Sequence, residues 1–158
     1  MVNQSMVEIS VCIREDDVAP VFELLPAVDL GGNMYELLAS PGLALNLAKG
    51  DIIDITEMNK PAKVVRRGGN FCIQIYADDV SNDDIDQLDR EISTHLHGSV
   101  DGRYGGSIAI SVRASVGMEK IDEVLDPFST KTGHAWYYCN IYKNFEDLED
   151  DTLLDWWY

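Results

Sequence analysis

Two carboxylate-rich stretches hold the residues of this chain whose types and spacing carry chemistry. Segment 78–91 contains Asp78, Asp79, Asp83, Asp84, Asp86, Asp89 and Glu91 against Arg90 alone. Segment 143–158 contains Glu146, Asp147, Glu149, Asp150, Asp151 and Asp155 against Lys143, interleaved with Phe145, Leu148, Leu153, Leu154, Trp156, Trp157 and Tyr158. Carboxylates at this density steer basic partners, and aromatic side chains supply the buried anchors of an interface. The remaining chemical candidates are weaker. On a helix, His95 and His97 point about 200° apart around the axis, so one metal ion cannot easily take both. A helix C-terminus, where the dipole favours cations, accounts for them better. His134 has no partner in sequence. Asp147, Glu149, Asp150 and Asp151 lack the oxygen spacing and the glycine of an EF-hand loop. Gly102-Arg103-Tyr104-Gly105-Gly106 belongs to a hairpin pattern rather than preceding a helix, so it is no phosphate cradle. There is no P-loop and no GxSxG elbow, and neither a Ser nor a Cys carries a neighbouring His signature. The expectation is a binding protein rather than an enzyme, with no cofactor and no metal.

Composition narrows the partner. The 158 residues include 28 Asp and Glu against 12 Lys and Arg, a formal charge of −16, yet 46% are hydrophobic. Such a chain can bury a core, and its length suits one domain or two small halves. Phosphate repels a surface of this sign, which disfavours nucleic acid. No apolar run approaches the roughly 18 residues of a membrane span, and Met-Val-Asn-Gln-Ser-Met has neither the basic nor the apolar part of a signal peptide. Cys12, Cys72 and Cys139 are odd in number and lie in alternating runs, which reads as packing thiols in a reducing, cytoplasmic setting.

The elements that must position these residues change character near residue 70. Met6 to Glu15 alternates, with Val7, Ile9, Val11 and Ile13 on one face. Val18 to Leu25 is a second run, with Pro20 marking an edge or bend. Gly31-Gly32-Asn33 predicts a turn before a strand at Met34 to Leu38. Ser40 and Pro41 predict a helical turn through Ala48, Ile52 to Ile55 a strand, and Val64 to Arg67 another. This half reads as a small bent β-sheet or partial barrel. Phe71 to Tyr76 then alternates as a strand. Ser81 predicts the cap of a helix through Leu96, its stripe Ile85, Leu88, Ile92 and Leu96, closed by Gly98. A hairpin spans Gly98 to Arg113. A second helix runs from Val116 to Leu125 and stops at Pro127, and Ala135 to Tyr142 is a last strand. The order βαββαβ predicts a ferredoxin-like half. The expected fold class is α+β, divided as 1–69, 70–142 and an acidic aromatic segment 143–158.

The chain resembles a bacterial family, domain of unknown function four-two-six-five. The resemblance rests on Tyr35-Glu36-Leu37 leading to Pro41-Gly42-Leu43-Ala44, on Ala48-Lys49-Gly50-Asp51-Ile52-Ile53, and on Val64-Val65-Arg66-Arg67-Gly68-Gly69-Asn70. It continues in the hairpin before Ala109-Ile110-Ser111-Val112 and in Ala135-Trp136-Tyr137-Tyr138. It spans about Met6 to Tyr142, and the acidic C-terminus departs from it. The family brings no catalytic residues to carry over.

Small acidic bacterial proteins of this kind look like the immunity partners of polymorphic or contact-dependent toxins. The expectation is therefore a cytoplasmic immunity protein that blocks a basic surface of a cognate toxin domain. Its contacts are expected at Asp83, Asp86, Asp89, Glu149, Asp150, Asp151 and Trp156. Two rival expectations stand beside it: a solvated helix face for the first acidic stretch, and a cap closing the sheet with Trp156 and Trp157 for the second. A small-molecule-binding or regulatory module is the alternative function.

Overall fold

Alternating apolar residues build the first half as a meander. The computed structural model describes residues 6–14, 20–104, 106–144, 147 and 149–158. Strands β1 (Met6–Arg14), β2 (Val21–Gly31), β3 (Met34–Leu37), β4 (Ile52–Asp54) and β5 (Lys63–Arg66) pair in chain order. Every pair is antiparallel, and bulges at Cys12/Arg14, Asp29/Gly31 and Ile52/Ile53 bend the sheet. Ile9, Val11, Leu25, Ala27, Leu37 and Ile53 form its buried face, closed by Ala44, Leu47 and Ala62. The second strand is longer than its alternation predicts, passing through Pro26, whose carbonyl accepts the Leu38 N–H at 3.0 Å. Glu15, Val18 and Ala19 of the predicted runs lie outside the described residues, as do 1–5, Gly105, Phe145, Glu146 and Leu148.

The second half is a four-stranded antiparallel sheet under two helices. Strands β6 (Asn70–Tyr76), β7 (Ser99–Tyr104), β8 (Ser107–Arg113) and β9 (Trp136–Tyr138) lie in the order β7-β8-β6-β9. Helices α1 (Asn82–Glu91) and α2 (Met118–Thr132) cover one face. There Phe71, Ile73 and Ile75 pack with Leu88, Ile92, Leu96, Ile121, Leu125 and Phe128. The other face of β6 carries Cys72, Gln74 and Tyr76 toward the 40–48 loop, where Cys72 and Cys139 meet Ala48 and Leu45. The molecule is thus mixed α+β. No helix among the described residues is long and apolar enough to cross a membrane.

Four local predictions need correction. Residues 40–48 form no helix. The Glu23 carboxylate accepts the N–H groups of Gly42, Leu43 and Ala44 at 2.7, 2.9 and 2.9 Å. Gln74 Nε2 donates to the Pro41 and Ala44 carbonyls at 3.0 and 2.9 Å. A helix of this length is marginal alone, and partners distant in sequence take the carbonyls its ladder would need. Ser40, predicted as the cap, instead bonds Ser111 Oγ at 2.6 Å and accepts the Lys49 N–H at 3.0 Å.

The predicted cap at Ser81 forms, its Oγ accepting the Asp84 N–H at 3.2 Å. The chain beyond α1 continues as a π-helical turn, Ile92–Leu96, and His97 takes the left-handed closing position at φ 51°. Gly98 answers a different need. A Cβ there would stand 2.4 Å from the Ser111 carbonyl oxygen, so the helix exit could not lie against β8.

Pro127 does not stop α2, which begins at Met118 and runs to Thr132. Proline cannot donate to the carbonyl of Glu123, but Glu123 lies on the exposed side of the helix, while Leu125 and Phe128 hold both sides of Pro127 to the core. The last strand is only Trp136–Tyr138. Beyond it the Asn140 side chain replaces the ladder, accepting the Cys72 N–H at 3.0 Å and donating to the Asn70 carbonyl at 2.9 Å.

Candidate functional site

The amphipathic pattern of α1 turns Leu88 inward and leaves Asp83, Asp86 and Asp89 exposed on the outer side. Of the acids in this stretch, Asp84 pairs with Lys131 of α2 at 2.8 Å and Asp79 meets His134. The Lys131 ammonium holds the Asp84 carboxyl below its ordinary range. Among the described residues, Asp83, Asp86 and Asp89 have no ion-pair partner. His95 and His97 are exposed, and no group of three metal-ligating side chains occurs among the described residues.

The C-terminal stretch folds back on the sheet. Leu153 bridges Tyr142, and the Leu154 N–H reaches the Ile141 carbonyl at 2.7 Å. Trp156 is half-buried: its Nε1 donates to the Asn140 carbonyl at 2.9 Å, and its ring lies 5.3 Å from that of Phe71. The Arg67 guanidinium sits over the same indole at 5.6 Å. Trp157 is also against Phe71, at 5.7 Å. Both indoles dock within the chain, as the capping reading expects.

Asp150 and Asp151 go elsewhere. With Asp147 they line a recess of about 630 Å3 whose wall includes Leu45, Tyr76, Tyr137 and Tyr142. Glu149 is exposed, its N–H bonded to Asp147 Oδ1 at 3.0 Å. Asp150 accepts the Thr152 N–H at 3.1 Å, and hydrogen bonding from Thr152 keeps its carboxyl below the usual range. Tyr76 and Tyr137 are diagonal cross-strand neighbours of β6 and β9, with ring centroids 6.0 Å apart. The Tyr76 hydroxyl donates to Gln74 Oε1, so the side chain that holds the 40–48 loop also fixes this ring. Burial pushes the Tyr76 phenol well above its ordinary pKa.

The two predicted acidic surfaces therefore do not converge. Asp83, Asp86 and Asp89 stand on the helix that covers the Phe71–Ile75 face, and Asp150 and Asp151 border the recess on the Tyr76 side. Sequence reasoning missed Tyr76, Tyr137 and Tyr142. Alternation placed Tyr76 on the face of Gln74, but only the pairing of β6 with β9 brings Tyr137 beside it. A second recess of about 510 Å3 mixes charges, with Asp54, Glu57, Lys60, Lys63 and Arg67 in its lining.

Residues 23–136 match the family model described as Domain of unknown function (DUF4265). Among solved structures, the chain is similar to a hypothetical protein from Neisseria gonorrhoeae, at 15% identity and a TM-score of 0.62, over 87% of this chain and 96% of that one. At that identity the likeness shows the fold alone. Among curated proteins nothing matches.

Proposed function

The chain belongs to the DUF4265 family, and from that premise we propose that it is a cytoplasmic immunity protein, without catalytic activity, that neutralises a cognate bacterial toxin by covering a basic surface. The observation that carries this reading is the unneutralised outer side of α1. Asp83, Asp86 and Asp89 are exposed and without a counterion among the described residues, in a chain of net charge −16. Charge of one sign raises association rates with an oppositely charged cleft and disfavours nucleic acid as the ligand. Glu149 and Asp151 extend the same sign across the other side. Trp156 contributes in this reading by holding the C-terminal segment in place.

We also read the second half as ferredoxin-like. The succession β6-α1-β7-β8-α2-β9 and the sheet order β9-β6-β8-β7 support that assignment. The alternative function, a small-molecule-binding or regulatory module, draws its support from the 630 Å3 recess, a volume typical of ligand pockets.

The test first asks whether a gene encoding a toxin domain directly precedes this one, and then takes that domain as the binding probe. Asp86→Lys combined with Asp89→Lys is expected to slow association about tenfold or more at low salt and to flatten its salt dependence. Unchanged association and unchanged protection of cells would reduce the α1 face to solvated surface and overturn the reading.

A further inference from the structure

We propose that the recess between β6, β9 and the C-terminal segment receives the guanidinium of an arginine presented by a basic protein partner. The inference rests on the reading of this chain as one that binds such a partner, and it adds the chemistry of the contact. Three observations carry it. First, Tyr76, Tyr137 and Tyr142 leave 45%, 51% and 37% of their surface in solvent and line one recess together. Exposed aromatic faces grouped in one recess are what a cation stacks on. Second, the acidic members of the lining are Asp147, Asp150 and Asp151, while no Lys, Arg or His lines it among the described residues. None of these three carboxylates forms an ion pair within the described chain, and Lys143 acts on Asp150 through its charge without pairing. The second recess differs here, since its own Lys60, Lys63 and Arg67 already supply cations. Third, the Tyr76 side of the wall is held by the chain itself. Gln74 is fully buried, anchors the 40–48 loop through its amide nitrogen and holds the Tyr76 hydroxyl through its oxygen.

These features select one chemical class. An anion is repelled by three carboxylates, and a neutral apolar ligand gives them nothing to pair with. A guanidinium satisfies both walls, because its flat face stacks on tyrosine and its forked N–H groups pair with a carboxylate. An ammonium has no such face. The recess opens where Tyr137, Tyr142 and Asp151 are exposed, with Glu149 beside them. A side chain projecting from a protein surface can enter there while flanking cations meet the outer acids.

The test follows tyrosine ring signals by NMR on the full chain with ring-labelled tyrosine. The probes are acetyl-Lys-Arg-Lys-amide, the same peptide with citrulline for arginine, and agmatine. The arginine peptide is expected to shift Tyr76, Tyr137 and Tyr142 and to bind about tenfold more tightly than the citrulline peptide. It is also expected to outbind agmatine, whose single ammonium stands in place of the two flanking lysine cations. Tyr137→Ala and, independently, Asp151→Asn are each expected to weaken the arginine peptide several-fold. Asp151→Asn changes an exposed side chain and keeps the fold. Equal binding of the citrulline peptide, or ring shifts unchanged by either substitution, would overturn the assignment. Agmatine binding as tightly as the peptide would make the natural ligand a small cation and overturn it as well. The toxin test on α1 is separate: neutralisation lost through Asp86→Lys and Asp89→Lys with no peptide response sinks the recess alone. A peptide response with no toxin protection sinks the immunity reading alone.

Discussion

Carboxylates in two regions of this protein meet opposite fates. At the seam between the sheets, Glu23 and Asp51 are buried, 6% and 0% exposed, and their oxygens are consumed by the chain itself. Glu23 gathers three loop N–H groups. Asp51 accepts the Gly68 N–H at 2.8 Å and the Ala48 N–H at 3.0 Å and faces Arg67 at 3.4 Å. The fit is close: a Cβ on Gly68 would fall 2.3 Å from the Gly50 carbonyl carbon. On α1 and beside the tyrosine recess, Asp83, Asp86, Asp89 and Asp151 face solvent with no ion-pair partner among the described residues. The same side chain serves architecture where backbone donors converge on it and remains available to a partner where none do. Net charge alone does not separate these roles.

The sharpest way to break this contrast is at Asp51. Asp51→Ala strands the Gly68 and Ala48 N–H groups and leaves Arg67 without its carboxylate. A loss of about 3–5 kcal/mol of folding stability is expected, read by chemical denaturation. Next is Glu23→Gln, which keeps the shape but exchanges one acceptor oxygen for an amide donor facing N–H groups. It is expected to cost about 2 kcal/mol and to loosen the 40–48 loop, seen as faster amide exchange at Gly42, Leu43 and Ala44.

A pH series sharpens the same point. Burial outweighs the hydrogen bonds and Arg67, raising the Asp51 pKa from 3.8 to about 6. The folded state therefore holds this proton more tightly than the unfolded one. The stabilisation is full below about pH 4 and is lost as the pH rises through about 6. Between pH 7 and pH 5 the wild type is expected to gain about 1.4 kcal/mol relative to Asp51→Asn, measured by parallel denaturation curves. The smallest effect belongs to the exposed set. Asp83→Asn, Asp86→Asn or Asp89→Asn is expected to change stability by less than about 0.5 kcal/mol. A larger loss would place these residues with the architectural carboxylates.

Some of this was legible in advance because its causes are local. The cap at Ser81, the turn at Gly31-Gly32-Asn33, the alternation of β6 and the outward direction of Asp86 and Asp89 each depend on a few neighbouring residues. What failed depended on distant partners. The 40–48 segment carries a helix-start signal, yet Gln74 and Glu23, more than 15 residues away in either direction, claim its carbonyls and amides. Pro127 reads as a stop, yet the core contacts of Leu125 and Phe128 carry the helix across it. Trp156 reads equally as anchor or cap until Phe71 and the Asn140 carbonyl are seen beneath it.

By itself the sequence determined that this chain is acidic, able to bury a core, strand-rich and then mixed α and β, because composition and periodicity act residue by residue. Only the tertiary structure decided which carboxylates are spent internally, where the indoles rest and that the exposed Tyr76, Tyr137 and Tyr142 share one recess. Those outcomes hinge on strand pairing and loop docking between residues far apart in the chain, and no local propensity encodes such contacts.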